Sequence, residues 1–152
     1  MKTITDELLK ELKNASDIES FFKSHENEFI NETSSSYLNR MLELKGISVS
    51  NVSKDSGIGE YVYKIFRGER TPSRDVLITI SFSMKLSLEE TQLLLRISKF
   101  AVLDSRNKRD SVIIYGLTHN LTVFETDDIL EEQDMITINW YYIKWVNCIH
   151  NN

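Results

Sequence analysis

Apolar residues recur at helical spacing along nearly the whole chain, in short bursts separated by polar caps and occasional glycines. Leu8, Leu9 and Leu12 form the first burst. Ile18, Phe21 and Phe22 form the second, opened by the capping-box pattern Ser16-Asp-Ile-Glu19. Together they predict two amphipathic helices within residues 5–32. The polar run Asn31-Glu-Thr-Ser-Ser-Ser36 reads as a linker or a helix start, and marks the boundary between this appendage and the main body. Tyr37, Leu38, Met41, Leu42 and Leu44 then predict a helix ending at Gly46, a residue suited to a left-handed C-cap.

From Ser48 to Pro72 the elements shorten. A brief helix is followed by a turn marked with Gly57, a second brief helix from about Glu60 to Arg67, and the exit Gly68-Glu-Arg-Thr-Pro72. Val62, Ile65 and Phe66 point to the core from that second helix. The layout is that of a helix-turn-helix, whose second helix lies in a DNA major groove when the motif binds DNA. Val76, Leu77, Ile80 and Met84 share one face of a further helix over residues 74–85. Ser87-Leu-Glu-Glu90 is another capping box, opening a helix with Leu93, Leu94 and Ile97. Five short helices with short connections must pack on one another.

Beyond them, Val112, Ile113, Ile114, Tyr115 and Leu117 predict a helix, although the β-branched run equally suits a buried strand. Thr122-Val-Phe-Glu125 starts another helix, with Ile129 and Leu130. Residues 136–152 fit either an aromatic helix or a strand. The expected fold class is therefore all-α: an N-terminal helical appendage (1–34), a five-helix helix-turn-helix domain (35–98), and a C-terminal helical extension with an aromatic tail (99–152).

Composition narrows the function. The 152 residues are 41% hydrophobic, with one proline and five glycines, which suits a packed helical core. A lone cysteine, Cys148, excludes an internal disulfide framework. No apolar run approaches a membrane span, and Met1–Glu7 lacks the apolar core of a signal peptide, so a cytoplasmic location is expected. The net charge of −5 opposes general nucleic-acid binding, but its distribution matters more. Residues 1–34 carry four basic and eight acidic side chains, residues 35–75 seven and five, and residues 76–152 seven and ten. The one positive segment contains the helix-turn-helix.

Catalysis finds no footing. His25, His119 and His150 are scattered, and Glu89/Glu90, Asp127/Asp128 and Glu131/Glu132 are adjacent pairs that splay apart on a helix. No phosphate-binding glycine loop or nucleophile motif occurs. The expectation is a protein that is not an enzyme, with no cofactor and no metal.

Leu38, Leu42, Gly46, Val52, Gly57, Val62 and Ile65, together with Lys64-Ile-Phe-Arg-Gly68, carry a resemblance. Residues 37–94 resemble the Cro/repressor-type (lambda repressor-like) helix-turn-helix domains of phage repressors and bacterial regulators. Over residues 4–133, Tyr61–Gly68, Pro72-Ser-Arg-Asp75, Leu86–Leu95 and Arg109-Asp resemble a group of uncharacterised bacterial helix-turn-helix transcriptional regulators. The resemblance implies a five-helix domain that binds double-stranded DNA as a homodimer. Two departures stand out: Val49 occupies a position where the family commonly has glutamine, and the Gly57–Gly68 interval is one residue shorter than usual.

On this reading Lys64 donates to guanine, Glu60 accepts from cytosine, and Tyr61 or Tyr63 meets a thymine methyl or a phosphate. Arg67, Arg70 and Arg74 clamp phosphate with help from Thr71 and Ser73, while Ser48 and Ser50 offer hydroxyls and backbone N–H groups to another phosphate. Against this, Glu60 equally suits a helix cap, and both tyrosines equally suit packing. The tail around Trp140, Tyr141, Tyr142 and Trp145 suits a dimer or protein-partner surface, or core. The rival function is a protein-interaction module on the same scaffold that has lost DNA binding.

Overall fold

The computed structural model describes residues 3–29 and 31–139, and among them the chain is helical with no strand. It divides into two compact units, Met1–Asn31 and Glu32–Asn152.

The first unit pairs α1 (Ile4–Asn14) with α2 (Ile18–Ser24), followed by a 3-10 turn at Glu26–Glu28. Thr3 and Asp6 close a capping box on α1, each accepting the other's backbone N–H at 3.1 Å. The expected box at Ser16 is displaced by one residue. Asp17 caps α2, accepting from the Ser20 amide at 2.8 Å. A carboxylate there is the better acceptor, because it also faces the positive end of the helix dipole. Among the described residues of this unit only Phe21 is buried, with Phe29 edge-on to it at 6.1 Å between ring centroids.

In the second unit α3 (Ser34–Lys45) starts inside the polar run, capped by Thr33, and stops at Gly46 with φ of 64°. Next come α4 (Val49–Ser56), α5 (Tyr61–Phe66), α6 (Arg74–Ser83), α7 (Leu88–Ile97), α8 (Lys108–Thr118) and α9 (Val123–Glu132). Each of α4 and α6–α9 opens on a Ser, Asn or Thr whose side chain accepts an N–H of the first turn, worth about 1 kcal/mol per cap.

Helix α6 is the axis of this unit, packing against α4, α7 and α9. The sequence suggests one apolar face, but Leu77 to Phe82 are all buried, so the helix is enclosed on every side. Thr79 and Ser81 fit that interior because their hydroxyls donate to the carbonyls of Asp75 and Leu77. The strand alternative at 112–117 resolves to helix. Ile113 and Leu117, four apart, are buried while Tyr115 between them is half exposed, which is helical periodicity. Residues 99–139 pack on α6 and α7 rather than extending away from them. The tail at Trp140, Tyr141, Tyr142 and Trp145 lies outside the described residues. No described helix is long and apolar enough to cross a membrane.

Candidate nucleic-acid interface

Helices α4 and α5 meet across a four-residue turn, Gly57 to Glu60. Gly57 and Gly59 hold φ of 71° and 78°. At Gly59 an added Cβ would meet nothing within 4 Å, so backbone sterics rather than crowding demand glycine there. Ser56 is fully buried. Its hydroxyl accepts the Ile58 amide at 3.2 Å and donates to the Ser53 carbonyl, replacing bonds the ending helix leaves open. Helix α5 ends in a Schellman motif: the Gly68 amide bonds Ile65 O at 3.1 Å, and the Glu69 amide bonds Lys64 O at 2.9 Å. Asn39 of α3 ties that end down by donating to the Phe66 carbonyl at 2.8 Å.

Val62, Ile65 and Phe66 are buried as the pattern requires. Tyr61 is half-buried against the core, whereas Tyr63 and Lys64 are exposed. Glu60 stands at the N-cap of α5 and makes no capping bond with its side chain. Ser48 caps α4 through the Asn51 amide at 3.2 Å, and Ser50 is half-buried in the first turn of the helix. Thr71 is exposed, and Ser73 caps α6 by accepting from Val76 N.

The cations divide. Lys64, Arg67 and Arg70 are all exposed, and of the three Arg67 forms an ion pair with Glu69. Arg67 grips that carboxylate at 2.8 and 3.2 Å and, with the charges of Lys64 and Arg70, holds its pKa below the ordinary glutamate value. Arg74 turns inward instead. Its guanidinium donates to the carbonyls of Ala101 and Val102 and forks onto Asp110 at 3.2 and 3.1 Å.

That inward arginine belongs to a network the pattern of apolar residues does not reveal. Arg109, beside Asp110, forks onto Asp75, beside Arg74, at 3.2 and 3.1 Å, so two Arg-Asp dipeptides grip each other crosswise. Arg109 also donates to Ile136 O and Thr137 O. Asp127 then accepts the amides of Ile138 and Asn139 at 2.6 and 3.0 Å, and burial pushes its carboxyl above the ordinary aspartate value. Asn139, held in this way, donates from Nδ2 to Ser56 O at 2.7 Å, behind the α4–α5 turn. Residues 136–139 are thus a strap that fixes the turn from behind. The repeated Arg-Asp pair was the one sequence signal pointing to it.

Among the described residues no group of three His, Cys, Asp or Glu side chains is arranged to hold a metal ion. Neither the protein-family models, nor the curated proteins, nor the solved structures include a match to this chain.

Proposed function

We propose that the protein is a sequence-specific, double-stranded-DNA-binding transcriptional regulator with a Cro/repressor-type domain, and that α5 is its recognition helix. The observation that carries this reading is the α4–α5 pair. It combines a turn with two glycines at positive φ, a buried inner face on α5, and the exposed cations Lys64, Arg67 and Arg70 at and just beyond the end of that helix. Tyr63 and Lys64 are the exposed side chains of α5 offered to base edges, with Glu60 ahead of them. Arg70, Thr71 and Arg67 follow as phosphate contacts, Arg67 leaving Glu69 for the stronger field of the DNA backbone. Ser48 and the unbonded first-turn amides of α4 supply a second phosphate contact. Arg74 is a positioning residue for the α7–α8 connection rather than a clamp.

The regulator acts as a homodimer on half-sites about 34 Å, or a multiple of that, apart. Ile4, Leu9, Leu12, Ile18, Phe22 and Phe29 of the appendage are large apolar side chains open to solvent, and they supply apolar surface for that contact.

Selection of bound sequences from a random duplex pool tests the specificity. Recovery of one shared motif, lost on Lys64→Ala, supports the reading; equal recovery of all sequences contradicts it. The protein-interaction alternative draws on one feature of the site. Arg67 is engaged by Glu69 and Arg74 by Asp110, whereas Lys54, Lys64 and Arg70 have no ion pair among the described residues.

A further inference from the structure

A cavity of about 560 Å³ lies beside the helix-turn-helix, where α4, the end of α6 and the α8–α9 connection meet. That volume falls within the range of small-molecule sites. Its floor is the flank of the core itself: Phe82, Leu86, Leu117 and Val123, all less than a tenth exposed. Its mouth is different. Lys54 and Lys85 are the cations among the lining residues, both are exposed, and neither has an ion-pair partner among the described residues. Asp55 is the single carboxylate of the lining. Lys85 is held at a fixed place by the turn that closes α6, where its own amide bonds Phe82 O and the Leu86 amide bonds Ser81 O.

An apolar floor under a mouth with two cations and one anion selects for an apolar body carrying one negative charge. A neutral apolar molecule would leave the ammonium groups unanswered, and a polyanion would strand charge beside Asp55. We propose that this cavity binds a small amphipathic carboxylate. Its chain or ring lies on Phe82, Leu86, Leu117 and Val123, and its carboxylate is met by Lys54 and Lys85. The site does not depend on the DNA-binding reading, although Phe124 of its lining also stands 3.7 Å from the Cβ position of Gly57 in the α4–α5 turn.

The test titrates the full chain with anilinonaphthalene sulfonate, an amphipathic fluorescent anion, and then displaces it with decanoate. One saturable site is expected, with decanoate displacing the probe completely. The Lys54→Ala/Lys85→Ala double variant should weaken decanoate about tenfold. Leu121→Trp, a change at a half-buried lining residue, should weaken binding by intruding on the site. Unchanged circular dichroism and melting temperature show that both variants are folded. Decanol displacing the probe as well as decanoate, or probe binding indifferent to the lysines or to Leu121→Trp, overturns the proposal. So does the absence of a saturable site in the folded wild-type chain.

Discussion

Gly116 lies in the middle of α8, where a Cβ would stand 2.2 Å from Thr126 Oγ1 and 3.0 Å from its Cγ2. Thr126 is fully buried and its hydroxyl is committed to Thr122 O, so it has nowhere to move. Gly116→Ala should therefore destabilise the protein by about 2 kcal/mol despite the better helix propensity of alanine. Adding Thr126→Ala should recover part of that loss. Chemical denaturation of the two single variants and the double variant gives the coupling, and additive effects would exclude a steric contact.

Other single residues explain why the sequence was only partly readable. Lys85, Lys99, Asn120 and Asp134 sit at φ of 54–64° and close helices in the way Gly46 does. In each case the next residue, Leu86, Phe100, Leu121 or Met135, sends its amide back to the helix it leaves. A search for glycine finds Gly46 and Gly68 but misses these four, because the apolar residue that follows stabilises the turn in place of a permissive backbone.

Helix positions were legible wherever an amphipathic repeat met a capping residue, as at Ser87/Glu90 and Thr122/Glu125. The strap at 136–139 was not legible, since it is fixed by Arg109, Asp75 and Asp127, three charged residues distant in sequence. Arg74→Ala tests the other arm of the Arg-Asp network, the one that holds the α7–α8 connection. It leaves the nearly buried Asp110 without its charge partner and should cost about 3 kcal/mol in denaturant melts, while the equally basic but exposed Arg70→Ala costs almost nothing.

The α1–α2 hairpin carries its own pH dependence. His25 is bracketed by Glu28 and Glu11, and the bond to Glu28 is the main reason its pKa is raised above 6.5. Protonated histidine is thus favoured in the folded hairpin. Its contribution is complete below pH 6.5 and is lost as the pH rises through the raised value. Amide exchange in α1 and α2 should quicken across that window beyond the intrinsic dependence of exchange on pH. His25→Gln should abolish the extra change, and an identical profile in both proteins would refute it.

For the whole molecule, the decisive feature is how charge is distributed over a net-acidic chain. The all-helical class follows from periodicity, and the positive central segment follows from counting side chains. Which cations face outward does not. Arg67, Arg70 and Arg74 look equivalent in sequence, yet Arg74 serves the interior network while Arg67 and Arg70 stay exposed, Arg67 paired with Glu69. The proposed function rests on that division. Its most direct test is the slope of log affinity against log salt for duplex DNA, measured on the wild-type chain and on three single variants. The account predicts a steep negative slope, reduced by about 0.9 for each of Arg67→Ala and Arg70→Ala and unchanged for a folded Arg74→Ala. Absence of binding at low salt, or a slope indifferent to Arg67 and Arg70, would contradict it.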